Sequence, residues 1–287
     1  MASEKMQAFL DAMGDQPKPR DTRPIEEQRA GLDEYMSHLQ VPENVEIVDL
    51  EVAGRPARRF LPNGARTDRG VMYLHGGGYT VGSLEAYRSL MAHLAVACHA
   101  VVTGLDYRLA PENTYPAALD DAVAAFSEMS ESTTSEKLMV AGDSAGGGLA
   151  LACLLRLKEE GSPLPGCATL ISPWTDLTCS GTSLGAVREY FVESSHVYIG
   201  DSPPDTIGIS PLFGDMAGLP PLLIQVASDE ALLDDSTRVA SRARDAGVIV
   251  DIKLYDEAFH VFQIFTDLPE SQEALSEIGS FFDLHIR

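Results

Sequence analysis

The sequence predicts an α/β protein: a mainly parallel, eight-stranded sheet with helices on both faces, formed as one domain of 287 residues. Three observations carry that prediction. From Gly70 onward, apolar runs of strand length alternate with helical runs, the pattern of a parallel sheet whose crossovers are helices. Apolar residues make up 45% of the chain, enough for a large core, and α/β folds of this size are routinely single domains. Two glycine clusters directly follow strand-like runs, and open parallel sheets gather functional groups at the carboxyl ends of their strands.

Taken in order, the chain opens with helical patterns over Glu4 to Met13 and Pro24 to Leu39, divided by Pro17-Lys18-Pro19-Arg20, where proline stops a helix. Two extended runs follow, Val45 to Val52 and Pro56 to Leu61. The alternating part then places strands at Gly70 to Leu74, Ala100 to Leu105, Lys137 to Ala141, Cys167 to Ile171, Pro221 to Ala227 and Val248 to Tyr255. The last of these is expected at a sheet edge. Between the sixth and seventh strands lies an insertion, Thr182 to Ser210, which carries Tyr190, Phe191, Val197, Tyr198 and Ile199.

Chemistry enters at Gly142-Asp143-Ser144-Ala145-Gly146, between a buried strand and a helical stretch. A serine flanked by glycines in that setting sits on a turn so tight that its oxygen is lifted clear of the backbone. The helix behind it supplies unpaired N–H groups suited to an oxyanion. Upstream, His75-Gly76-Gly77-Gly78-Tyr79 ends the strand at Leu74. Three consecutive glycines are poor strand or helix material, but they let backbone N–H groups approach a substrate oxygen closely. Gly76, Gly77 and Ala145 are therefore the expected oxyanion-hole donors. A dinucleotide fingerprint or a Walker loop is excluded, because neither cluster has the G-x-G-x-x-G spacing with its ribose-binding acid, nor a following G-K-[ST].

A nucleophilic serine needs a base, and the base an orienting acid. Of seven histidines, His260 follows the strand Val248 to Tyr255 in a short loop, the position expected of a base. His75 belongs to the glycine loop and is expected to be structural. The acid lies in the loop after Pro221 to Ala227, where Asp229 and Glu230 are adjacent and both satisfy the order serine, acid, histidine. Their spacing alone does not choose between them.

These residues resemble the bacterial hormone-sensitive-lipase-like (family IV) esterases of the α/β-hydrolase superfamily. The resemblance rests on His75 to Gly78, on Tyr107-Arg108-Leu109-Ala110-Pro111-Glu112, on Gly142 to Gly147, and on the acid and histidine loops, together spanning about two-thirds of the chain. It implies an α/β-hydrolase fold whose site is covered by a helical cap from residues 1–40 and about 182–210. It implies a serine carboxylesterase acting on short-chain acyl esters through an acyl-enzyme, with Ser144, Glu230 and His260 as triad. Glu230 is favoured because Glu230-Ala231-Leu232-Leu233-Asp234 fits the family's acid-x-Leu-x-Asp pattern, while Asp229 is one residue out of step. Asp143 is expected to fix nearby backbone. Phe9, Met13, Tyr190 and Phe191 are candidate cap-side pocket residues, and Trp174 a candidate wall of the acyl pocket. A lactone hydrolase with the same triad is the alternative. A non-catalytic small-molecule receptor is a further one, which the presence of His260 argues against.

Composition narrows the partners. A net charge of −22 argues against nucleic acid and anionic membranes, which attract basic surface. No apolar run approaches membrane-spanning length, and no basic stretch followed by an apolar core opens the chain. Cys98, Cys153, Cys167 and Cys179 form no zinc spacing, and no cofactor or metal is expected. The expectation is a cytoplasmic enzyme with a small ester or lactone substrate, and a homodimer through its last strand, as in relatives of the resembled family.

Overall fold

Along the central strands, successive side chains enter two separate cores, which is why the sheet carries helices on both faces. In β3 (Arg66–Leu74), Met72 and Leu74 pack into one core, and Val71 and Tyr73 into the other. β6 (Cys167–Ile171) repeats this, with Ala168 and Leu170 on one side and Cys167 and Ile171 on the other. Strands buried on both faces read as continuous apolar runs. The computed structural model describes residues 2–14 and 21–286.

Eight strands form one sheet in the order β1-β2-β4-β3-β5-β6-β7-β8. β1 (Val45–Val52), β2 (Arg55–Pro62) and β4 (Ala100–Leu105) are joined antiparallel, and all other neighbours are parallel. β5 (Leu138–Asp143) lies at the centre, β7 (Leu222–Ala227) further along, and β8 (Val250–Tyr255) is an edge, as its place in the sequence suggested. All eight expected strands are present. β3 begins earlier than expected because its exposed start, Arg66 to Asp68, pairs across a register shift before Gly70. β8 begins later because Gly247 turns the chain at φ +82° and the Val248 N–H closes on Ala243.

The helices α4 (Ala117–Ser132), α5 (Ala145–Glu159) and α7 (Leu233–Asp245) cover one face. α3 (Arg88–Cys98) and α8 (Pro269–His285) cover the other. Three further helices reach the cores through a few buried residues: α1 (Glu4–Met13) through Met6, α2 (Ile25–Met36) through Met36, and α6 (Arg188–Ile199) through Tyr198 and Ile199. α2 stops at Met36 rather than Leu39, where the Ser37 N–H bonds back to Asp33 and Glu34. No helix among the described residues is long and apolar enough to cross a membrane.

Candidate active site

Ser144 occupies the junction of β5 and α5 at φ 51° and ψ −120°, a conformation disfavoured for a residue with a side chain. The neighbours make it affordable. A Cβ on Gly142 would collide with the Gly146 carbonyl, and one on Gly146 with the carbonyls of Leu74 and His75. The Ser144 N–H bonds to Ile171 O at 2.8 Å, and its carbonyl accepts from Gly148 and Trp174. The sharp turn is thus locked by β3 and β6 on either side.

Its side chain begins a hydrogen-bonded chain of three groups. Ser144 Oγ lies 3.0 Å from His260 Nε2, and His260 Nδ1 lies 2.9 Å from Glu230 Oε1. His260 stands in the loop after β8, next to Val261 at φ 53°. Glu230 is 6% exposed, and its second oxygen accepts from Ser172 Oγ at 2.6 Å and from the Ala227 N–H at 3.0 Å. Asp229, beside it, faces solvent. The structure therefore brings Glu230 and not Asp229 to the histidine. Burial alone would lower the His260 pKa, but the charge and hydrogen bond of Glu230, with Asp143 adding to them, raise it above the ordinary histidine value.

The glycine loop departs from expectation at one residue. The Gly76 N–H donates to Asp143 Oδ1 at 2.9 Å, so it is not free for a substrate oxygen. This corrects Gly76 as an expected donor. Gly77 and Gly78 follow at φ +112° and +60°, line the cavity beside Ser144, and have no acceptor for their N–H groups among the described residues. The same holds for the Ala145 N–H at the start of α5. Asp143, 1% exposed, also accepts from Tyr73 at 2.8 Å and Tyr87 at 3.1 Å. Burial pushes its carboxyl up to about 6, against the pull of those hydroxyls, so it is mainly ionised at neutral pH. It is the post to which the glycine loop is tied.

His75 is buried and stacked on Tyr107 at 4.5 Å. Burial pushes its pKa down to about 4, partly offset by the hydrogen bond to Gly76 O. It is a neutral structural group that accompanies the loop, and Tyr107 holds its carbonyl at 2.6 Å.

A cavity of about 360 Å³ opens over Ser144. Trp174, Tyr190 and Phe191 line it, as the sequence suggested, together with Gln28, Met36, Ser194, Val261, Ile264 and Phe265. Phe9 does not line it; its ring stacks on Phe259 at 4.9 Å and is tilted against Phe265 at 4.4 Å. The side chain of Met13 lies outside the described residues. Gln28, Met36 and Ser194 carried no signal in the sequence, because their helices bring them over Ser144 from far along the chain. Among the described residues no cluster of His, Cys, Asp and Glu is arranged to hold a metal ion.

A strand–serine–helix elbow in a mainly parallel sheet, with a histidine and an acid from later loops, defines an α/β hydrolase. The family model described as the alpha/beta hydrolase fold matches residues 71–264. An acetyl-hydrolase of Streptomyces hygroscopicus is 37% identical over 270 residues, covering 90% of this chain and 89% of that protein. An esterase of Acinetobacter venetianus is 35% identical over 276 residues, covering 92% of this chain and 88% of that protein. The crystal structure of an esterase from the bacterial hormone-sensitive lipase family superposes with a TM-score of 0.93 at 34% identity, covering 100% of both chains. The chain belongs to this family, the bacterial hormone-sensitive-lipase-like esterases of the α/β-hydrolase fold, and is a carboxylic ester hydrolase.

Proposed function

We propose that the protein hydrolyses short-chain acyl esters through Ser144, His260 and Glu230 as a catalytic triad. The observation that carries this reading is the continuous chain from Ser144 Oγ through His260 to Glu230, at 3.0 and 2.9 Å. His260 Nε2 takes the hydroxyl proton as Ser144 Oγ attacks the ester carbonyl carbon. The carbonyl oxygen becomes an oxyanion, held by the N–H groups of Gly77, Gly78 and Ala145. Collapse expels the alcohol, which receives the proton from His260, and leaves an acyl-serine. Water then repeats the sequence, releasing the acid and restoring the serine. Glu230 keeps the imidazole in the tautomer with its proton on Nδ1 and stabilises its positive charge, without taking the proton itself.

The short-chain preference is supported by the cavity volume of about 360 Å³, near the lower end of small-molecule sites. It is also supported by the names of relatives, one of which is an acetyl-hydrolase. In this reading α1, α2 and the segment 182–210 form a cap over the site, to which Gln28, Met36, Tyr190 and Phe191 belong. No feature of the cavity favours a cyclic ester, and the lactone alternative falls behind. Four buried free thiols suit a reducing compartment. The edge strand β8, with Leu254 exposed, is the surface for the expected homodimer.

Hydrolysis of p-nitrophenyl esters from acetate to palmitate tests the reading, with Ser144→Ala in parallel. Activity should peak at short chains and fall by at least about 10⁴-fold in the variant. Retained activity in Ser144→Ala, or a peak at palmitate, would refute it.

A further inference from the structure

The cavity is lined unevenly, and the unevenness bears on what kind of ester it takes. Trp174, from the loop after β6, is tied to the nucleophile's own backbone, its N–H bonding Ser144 O at 2.9 Å. Its ring meets Phe191 edge-on, with centroids 5.2 Å apart at 86°. Phe191 meets Tyr190 in the same manner, at 5.7 Å and 87°. The three rings line the cavity in a graded series: Trp174 is 2% exposed, Phe191 half-buried, and Tyr190 53% exposed. They form an aromatic ladder from the serine to solvent. The aliphatic lining residues, Met36, Val81, Val261 and Ile264, come from other elements, the end of α2, the loop after β3 and the turn after His260, and two further rings, Tyr87 and Phe265, line the cavity outside this series.

Edges and faces presented in alternation are what a further aromatic ring packs against, because ring quadrupoles favour edge-to-face and offset contacts over random ones. An aliphatic group gains no such directional term and is served equally well by methionine and branched side chains. No lysine or arginine lines the cavity among the described residues, so nothing there would neutralise a substrate carboxylate or phosphate. The chain's net charge of −22 acts in the same direction.

We propose that the substrate is a neutral ester joining an aromatic group, held on the Trp174–Phe191–Tyr190 ladder, to a short aliphatic group held against Met36, Val261 and Ile264. The inference rests on the esterase reading above and gives it a substrate class.

Matched pairs of substrates that differ only in aromaticity test it: benzyl against cyclohexylmethyl butyrate, and methyl phenylacetate against methyl cyclohexylacetate. Leaving-group chemistry is nearly the same within each pair, so the ratio of kcat/KM reports recognition of the ring. The wild-type enzyme should favour the aromatic member of at least one pair by about 3- to 10-fold, the size of an aromatic pair contact. Which pair responds tells which side of the ester bond carries the ring. Phe191→Leu should bring that ratio close to one. Tyr190→Leu, at an exposed position where folding is not at stake, should lower it by a smaller factor. Ratios near one in both pairs for an active wild-type enzyme would overturn the proposal while leaving the esterase reading intact. An aromatic preference undiminished in both variants would also overturn it, since the ring would then be recognised elsewhere. Failure to turn over any ester would sink the esterase reading and this inference together.

Discussion

The floor and the roof of the site are held by different forces. The floor, from β5 through Ser144 into α5, is fixed by backbone packing: glycines at 142 and 146 leave no room for a Cβ, and Asp143 is tied to Tyr73, Tyr87 and Gly76 in a buried environment. The proposed roof is held differently in its two helices, α2 largely by side chains near the surface and α6 by its buried end. On α2, Arg29 reaches Thr80 O at 2.9 Å, Ala110 O at 3.0 Å and the Glu112 carboxylate at 2.8 Å. Asp33 accepts from Ser83 Oγ, and Ser37 O from Arg88. Met36 is its one buried anchor. On α6, buried contacts concentrate at the far end, Ser195, Tyr198 and Ile199, while Tyr190 near its start is open to solvent. The groups that the proposed mechanism brings to a transition state sit where packing forbids movement. Groups that only shape the substrate's surroundings sit where contacts are exchangeable.

The largest effect is expected at the acid of the proposed triad, in the loop after β7. Glu230→Gln should lower kcat by about 10³- to 10⁴-fold, the loss expected when an imidazole loses its orienting charge, while Asp229→Asn stays within about twofold. Equal losses in the two variants would mean that the acid is misassigned. Next comes the elbow itself. Gly146→Ala must displace the Leu74 and His75 carbonyls and should cost about 3 kcal/mol of stability, seen as a lowered thermal midpoint. A melting curve matching wild type would show the elbow to be looser than its packing implies.

Smaller still is the effect of pH. In the proposed mechanism His260 acts as a neutral base, so kcat/KM should fall about tenfold per unit below its pKa, with a midpoint above the ordinary histidine value because Glu230 favours the protonated ring. In the residual activity of Glu230→Gln the midpoint should move down, since that charge is gone. A midpoint unmoved by the substitution would contradict the cause assigned to the shift. The roof should yield the mildest effect. Arg29→Met removes contacts worth about 1 kcal/mol net, so KM should rise by about 3- to 5-fold with kcat nearly unchanged and only a small loss of thermal stability. A large fall in the melting temperature would place α2 with the rigid floor instead.

The floor was legible in the sequence because its constraints are local. Gly142-Asp143-Ser144-Ala145-Gly146 between a strand and a helix specifies a tight turn whatever else surrounds it, and His260 announced itself by following a strand. The inner strands, β4 to β7 and the later part of β3, could be read from apolar runs because both their faces are covered, whereas β1, β2 and β8 keep exposed positions and were legible as extended runs. Asp229 and Glu230, one residue apart on the same loop, were separable only by likeness to a family pattern. The structure separates them physically, since the Ala227 N–H and Ser172 Oγ hold the Glu230 carboxylate beneath His260. The Gly76 N–H is taken for a similar reason: Asp143, distant in sequence, accepts it, while those of Gly77 and Gly78 have no acceptor among the described residues.

What the sequence determined by itself was therefore the class of fold and the local settings of Ser144, His260 and the glycine loop, because each is encoded in a short window of spacing and backbone freedom. What the tertiary structure decided was which carboxylate meets the histidine, which N–H groups stay unpaired, and which side chains of α2 and α6 reach the cavity. Those depend on contacts between residues far apart in the chain, such as Arg29 with Thr80 and Glu112, or Gln28 with Ser144 across one cavity. No local pattern carries such pairings; only the packing of the sheet and its crossovers brings them within reach.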